Sequence, residues 1–467
     1  MTRAARMALG TLVVLAPLPF GSVQGWATGL LAMGLGLTLV LAAYSTLRTQ
    51  QPLPAGCGWI ALATGTLALP AVLQLIPLPP ALLRLLSPAT ASLLAEVAPD
   101  AAAWHTLSED PAATLSALLW LVACGTAAFL VALLHDQGSV AGLFPVLLGV
   151  GAMEAFYGII EYLSGRNSIF LYAKRFYLDS VTGTYINRNH FAGLMVMLLP
   201  VGLAWLLARR REAGRLAPDL GWRRRLLAMS ERTTLQDGLL GLALTVMAAG
   251  LALSFSRAGV TLGALALALT LVLATATARR TRFRRPRAVW AVAAGLALLA
   301  LVPLSVRGPG RLASMAEDIP QELSAAAGRP VVWAGALQMG MDHPLLGTGL
   351  GTFGVAFPRY RPLALQPTFT HAHQDYLQWF AETGLLGVMA ALLVTLGLLV
   401  VAVRSLRPRA YGRGRLLACG LIAGSCGLAL HGLVDFNGHI PANTLLASVM
   451  AGMLVVLARP LPGETGT

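Results

Sequence analysis

An all-α polytopic membrane protein with about 12 transmembrane helices is the fold class this sequence predicts. Three observations carry that reading. Of 467 residues, 56% are apolar and only 12% charged, too few charges to coat a water-soluble domain of this length. Apolar runs near the ~20 residues that a helix needs to cross the hydrocarbon recur along the whole chain, separated by short polar breaks. The runs are continuous rather than alternating in period two, which argues against a closed barrel. The chain, residues 1–467, therefore reads as a single transmembrane domain.

The net charge of +14 comes from 34 Lys and Arg against 20 Asp and Glu, with Lys174 the single lysine. Position separates a nucleic-acid binder from a membrane protein here. The arginines gather in three loops: Arg209 to Arg232, Arg279 to Arg287, and Arg404 to Arg415. Basic clusters in alternate loops are what resistance to translocation produces, so the expected partner is membrane lipid and not nucleic acid.

Taken in order, the spans fall near residues 7–22, 26–46, 56–76, 113–134, 140–163, 189–208, 237–256, 258–278, 288–306, 376–403, 416–435 and 442–458. The first follows Arg3 and Arg6, which imitate a signal peptide, but no clean small-residue cleavage site follows, so an uncleaved helix is expected. Pro17 and Pro19 make it the weakest span. With Arg3 and Arg6 in the cytoplasm, the count puts all three arginine clusters inside and returns the C-terminus to the cytoplasm. Cys57, Cys124, Cys419 and Cys426 lie in apolar runs without zinc spacing and read as small packing residues. No repeat of fixed period supports an inverted-repeat transporter.

Three outward segments are long enough to carry function: 77–112, 164–188 and 307–375. The last, between helices 9 and 10, holds Arg307, Arg311, Arg329, Arg359 and Arg361, against the expectation that exported loops are poor in arginine. An anionic ligand explains the excess; solvated surface arginines are the bland alternative. After Gly328-Arg329-Pro330, the stretch Val331 to Met341 predicts a helix that stops at Asp342-His343-Pro344. Arg329, Trp333 and Leu337 then share a face, with Arg329 at the positive helix end, a combination suited to phosphate.

Three constellations could carry chemistry. Ser254-Phe255-Ser256-Arg257-Ala258-Gly259 makes a tight turn at the outer face, where Arg257 either serves function or snorkels. Asn187-Arg188-Asn189-His190-Phe191 opens the sixth span, as a polar entrance or as a helix cap. His371-Ala372-His373-Gln374-Asp375-Tyr376 leads into the tenth span, followed by Glu382-Thr383-Gly384-Leu385-Leu386-Gly387. A histidine at a cavity mouth can accept a proton from a sugar hydroxyl. His371, His373 and Asp375 also admit a metal reading, which lacks a further ligand cluster outside, and a structural histidine pair is the remaining alternative. The GxGxxG string Gly349 to Gly354 follows no strand and reads as a turn-rich loop. Glu154 and Glu161, seven apart on the fifth span, could form a proton path.

These residues resemble the bacterial O-antigen ligase and polymerase superfamily. His373-Gln374, nine residues, then Gly384-Leu385-Leu386-Gly387 is similar to the ligase motif. Ser256-Arg257-Ala258-Gly259 and Gly328-Arg329-Pro330-Val331-Val332-Trp333 resemble its two arginine sites, and Val434-Asp435-Phe436 a further feature. The likeness covers roughly residues 180–450. It implies a GT-C-like arrangement and transfer of a glycan from an undecaprenyl diphosphate carrier to an acceptor hydroxyl at the periplasmic face of the inner membrane, without metal or cofactor. The acceptor would be a lipid A core, a protein or a growing glycan. On this resemblance His373 is the general base, Arg257 and Arg329 hold the diphosphate, and His371 and Asp375 orient His373. Arg188, Arg359, Arg361, Trp333 and Asn187 are further candidates for substrate contact. A transporter or flippase of lipid-linked glycans, or a scaffold of a polysaccharide assembly complex, is the rival expectation.

Overall fold

The computed structural model describes residues 2–97, 104–212, 235–277, 329–361, 369–407 and 412–460. In chain order the helices are α1 (Thr2–Leu15), α2 (Gly25–Thr49), α3 (Cys57–Gln74), α4 (Pro80–Leu86), α5 (Pro88–Val97), α6 (Pro111–Leu134) and α7 (Leu143–Ser164). There follow α8 (Arg188–Glu212), α9 (Leu235–Leu253), α10 (Arg257–Thr277), α11 (residues 329–342), α12 (Asp375–Ser405), α13 (Gly412–His431) and α14 (Pro441–Ala458). Between α7 and α8 stands a two-stranded hairpin, β1 (Ser168–Ile169) and β2 (Tyr172–Ala173). Ten helices among the described residues are long and apolar enough to cross a membrane, and the protein is an all-α polytopic membrane protein.

Those ten match ten of the expected spans. The expected span at 288–306 and residues 307–328 of the loop lie outside the described residues. The first span differs. α1 ends at Leu15, because Pro17 supplies no N–H and disfavours helical geometry at Ala16. Its 14 residues cover only about 21 Å. The chain then continues through a 3-10 turn, Phe20–Ser22. Arg6 Nε donates to the Leu134 carbonyl at 2.6 Å and Thr184 Oγ1 to that of Pro17 at 2.8 Å, so the broken segment still joins the two ends of the bundle.

α8 is the central helix: residues 191–200 are buried without interruption, as expected of a span apolar on all sides and packed on all sides. In lipid, burial of apolar surface does not drive helices together, so close backbone approach must. α13 achieves this with Gly420 and Gly424, one turn apart. A Cβ on Gly424 would stand 2.2 Å from the Met197 carbonyl oxygen of α8, and one on Gly420 2.5 Å from that of Pro200. Cys57, Cys124 and Cys419 are buried as packing residues; Cys426, expected to be one as well, is exposed.

α12 does the opposite, exposing Leu385, Met389, Leu392, Leu396 and Val403. It is kinked at Gly384, whose φ of 61° with ψ of −164° only glycine tolerates cheaply. The kink lets the first turns of α12 lean on the loop that precedes them: Leu385 and Leu386 N–H donate to the carbonyls of Pro344 and Leu345. That loop has its own small core, in which Val332, Ala336 and Met339 of α11 meet Phe353, Phe357, Ala372 and Ala381.

At the end of the bundle remote from these histidine-bearing loops, Arg459 closes the structure. Its guanidinium donates to the carbonyls of Ala55 and His135, both at 2.8 Å, and to that of Ala132. With Arg6 on Leu134, it satisfies carbonyls that the last turn of α6 leaves without helical partners.

Candidate active site

The helix α12 begins one residue after Gln374, whose side chain caps it by accepting the Leu377 N–H. His373 is therefore held immediately outside the helix, and its φ of +53° is a left-handed conformation that non-glycine residues seldom adopt. Such conformations persist where the surroundings enforce them and cluster at functional positions. The His373 side chain keeps 28% of its surface exposed.

Facing it is Asp435, 1% exposed, in the turn between α13 and α14. Asp435 Oδ1 lies 3.8 Å from His373 Nδ1 and 3.7 Å from His190 Nε2, and accepts its own neighbour's N–H, from Phe436, at 2.8 Å. Burial works against ionisation of this carboxyl, but the two imidazoles outweigh it and hold Asp435 well below the usual carboxylate range. His373 Nδ1, His190 Nε2 and His431 Nε2 are all buried without a hydrogen bond.

Phe436 fixes the rings. It meets His190 and His373 edge-on at 4.5 and 4.8 Å and stacks on His371 at 4.3 Å. Behind it a chain of amides sets the backbone: the Asn437 amide donates to His431 Nδ1 and Asn443 to Asn437, both at 2.8 Å, and Tyr185 donates to Asn443 at 2.9 Å.

Asp375 does not face His373. Its Oδ1 pairs with His439 Nδ1 at 2.7 Å and its Oδ2 accepts the Gly438 N–H at 2.9 Å. Burial lowers the affinity of His439 for a proton, yet the Asp375 carboxylate prevails and raises its pKa. His371 goes the other way. Burial, then the charge of His439, push it down to about 3, so it is neutral, with Gln378 beside its Nδ1. The carboxylate that faces His373 is thus Asp435, while Asp375, expected to face it, faces His439.

Arginines stand at helix starts around this centre. Arg188 and Arg257 are the first residues of α8 and α10, and Arg329 is in the first described turn of α11. A cation opposes the helix dipole at that position, so helix stability alone would not select it. Arg329 donates to the Val434 carbonyl at 3.2 Å, one residue from Asp435. Arg257 is exposed, and Ser256 caps its helix by accepting the Gly259 N–H at 3.2 Å. The Arg188 guanidinium lies 5.3 Å from the centre of the Tyr177 ring.

The remaining candidates divide. Asn187 caps α8, its Oδ1 accepting the Asn189 N–H at 2.8 Å. Trp333 keeps a buried Nε1 without a hydrogen bond. Arg359 forms an ion pair with the buried Glu109, which also lies 3.6 Å from His343, while Arg361 is half-buried just beyond. The GxGxxG string holds a carboxylate of its own chain: Gly351 and Phe353 N–H donate to Glu382 at 2.8 and 3.1 Å. Gln74 of α3 completes that anchor by accepting the Leu350 N–H at 2.9 Å and donating to the Glu382 carbonyl at 2.7 Å. Glu161 pairs with Lys174 at 3.1 Å and Glu154 accepts the Thr184 N–H at 2.8 Å, so each carboxylate fastens the segment before α8.

His431 and His439 were not singled out from sequence, and His190 was named only within the Asn187-Arg188-Asn189-His190-Phe191 string. The spacing of His431, Asp435 and His439, each four residues apart between two apolar runs, is the signal that could have found two of them.

Fold and site together define a multi-pass membrane protein with a buried carboxylate shared by two histidines and arginines opening the adjacent helices. A family model described as O-antigen ligase matches residues 242–392, which contain Arg257, Arg329, His371 and His373, and this match supports membership of the O-antigen ligase and polymerase superfamily. No curated protein matches the chain.

Proposed function

We propose that this protein transfers a glycan from undecaprenyl diphosphate to an acceptor hydroxyl at the periplasmic face of the bacterial inner membrane. The observation that carries the reading is the His373–Asp435 pair beside Arg329, inside the structure of a membrane bundle. With Nδ1 turned to Asp435, the Nε2 of His373 is left to accept a proton. At 3.8 Å the pair is longer than a hydrogen bond, as catalytic contacts often are before substrate arrives.

In this mechanism the acceptor O–H gives its proton to His373 Nε2 as its oxygen attacks the anomeric carbon. The bond from that carbon to the diphosphate oxygen breaks, and the electron pair leaves with the lipid diphosphate. Arg329 and Arg257 meet the developing negative charge, which a bidentate guanidinium does better than an ammonium and does without a metal. A single displacement inverts the anomeric configuration. Lipid A core, protein and growing glycan would all present the hydroxyl that this step needs.

The test is deletion of the gene in its host, complemented with wild type, His373→Ala or Arg329→Ala, with surface glycan and the lipid-linked pool followed by gel and mass spectrometry. Full-length glycan stranded on the lipid carrier identifies a ligase, and single repeat units at the surface identify a polymerase. Normal glycan with His373→Ala at normal protein level would overturn the catalytic reading in favour of a transporter or scaffold.

A further inference from the structure

Between α7 and α8 the chain makes a hairpin whose tip is wrong for water and wrong for its own turn. Ser168 pairs with Ala173 and Ile169 with Tyr172, which leaves Phe170 and Leu171 as a two-residue connection. Such connections demand positive φ and favour glycine or asparagine. Here Phe170 takes a φ of +52°, an outlier for a bulky residue. Leu171 beside it is fully exposed, and Phe170, Tyr172, Phe176 and Leu178 are exposed as well. Both choices oppose folding of a hairpin in water, where a strained backbone and a bare apolar tip each carry a cost.

The surroundings show what the tip suits. The hairpin springs from the end of α7, whose Phe156, Ile160 and Leu163 are exposed on a helix that crosses the membrane, so its apolar side chains continue a lipid-facing surface. Exposed Arg166 and Arg175 bracket it, just past the end of the membrane-crossing helix α7 at Ser164. The base is rigid. Lys174, the sole lysine, is buried and pairs with Glu161 at 3.1 Å, and Tyr157 Oη accepts the Phe170 N–H at 2.7 Å. Tyr172 packs edge-on against Phe20 at 5.4 Å. Asp179, the acidic residue of the segment, already has a partner. A braced hairpin with an apolar tip and a basic collar has the chemistry of an interfacial anchor.

We infer that residues 166–178 form a membrane anchor that inserts Phe170 and Leu171 into the bilayer leaflet beside the histidine end, with Arg166 and Arg175 on anionic phospholipid headgroups. The inference rests on the membrane fold and stands whether or not the proposed glycan transfer is correct.

The experiment uses the full chain in nanodiscs of phosphatidylethanolamine and phosphatidylglycerol. A nitroxide is placed at Leu171→Cys in a Cys426→Ala background, the other three cysteines being buried. Its relaxation by oxygen and by a water-soluble nickel chelate is compared with that of a label at the exposed Gln50→Cys. The expected oxygen-to-nickel ratio at position 171 is several-fold that at position 50, and Arg166→Ala with Arg175→Ala lowers it when phosphatidylglycerol is present. A ratio equal to that at position 50 overturns the anchor, and dipolar broadening between labels overturns it in favour of a second copy of the chain. If the Leu171→Cys protein is not monodisperse, Phe176→Cys gives the same reading.

Discussion

Asp435, in the turn between α13 and α14, stands 3.8 Å from His373, which precedes α12 and lies 62 positions away in sequence. The carboxylate is buried, is held well below the usual carboxylate range and faces the Nδ1 side of the ring, so it is expected to hold that ring with Nδ1 inward. Replacement of Asp435 by Asn keeps the shape and removes the charge. The expected result is a fall in kcat of about 10² to 10⁴ with an unchanged KM for the lipid-linked donor. A raised KM with normal kcat would show that Asp435 serves binding instead.

Arg257 and Arg329 are expected to act through their planar fork as well as through their charge. Arg257→Lys and Arg329→Lys should each weaken donor binding about tenfold, or about 1.4 kcal/mol, while leaving expression intact. Arg359→Lys, at a residue already paired with Glu109, should change donor binding little. Donor titration on the purified protein checks all three.

Gly424 tests the packing of α13 on α8. With 2.2 Å between a new Cβ and the Met197 carbonyl oxygen, Gly424→Ala forces the helices apart. Overpacking of this kind typically costs about 1–3 kcal/mol. A lower thermal midpoint in detergent is expected, larger for Gly424→Val, whereas Gly10→Ala, with nothing within 4 Å of its Cβ, should be silent.

The histidines give the protein a pH-dependent stability. His371, pushed down to about 3 by burial and His439, and His135, pushed down to about 4 by burial and Arg6, stay neutral in the fold. An unfolded chain protonates both near 6.5, so it binds more protons below that pH and stability falls as pH falls. Asp435 has the same sign at lower pH, its contribution being lost as pH drops through its depressed value. His439 has the opposite sign, contributing below about 6.5 and losing that as pH rises through its raised value. Between pH 6.5 and 5 the cost from His371 alone is about 2 kcal/mol. Thermal unfolding at pH 5 should come below that at pH 7.5, and His371→Gln should narrow the gap.

The membrane spans were legible because lipid leaves a long one-dimensional record, a run of apolar residues near bilayer thickness. The turn before Arg257 and the helix after Arg329 were legible for a similar reason, since caps and prolines act locally. Partnership between side chains was not. Asp375 lies two residues from His373 and looks like its partner, but it lies in the first turn of the helix that His373 precedes, and it pairs with His439. Asp435 reaches His373 only because α13 and α14 turn back beside the start of α12. Likewise α1 has the composition of a span, and only the contacts of Arg6 and Pro17 show how a short helix reaches both ends.

The Arg459 clasp has a consequence for assembly. The carbonyls it meets, at Ala55, Ala132 and His135, belong to segments inserted hundreds of residues before it. Until α14 enters the bilayer, those carbonyls lack this partner and the Tyr185 hydroxyl lacks Asn443. The early helices must therefore stand in the membrane without these contacts until α14, hundreds of residues later in the chain, packs among them and locks them.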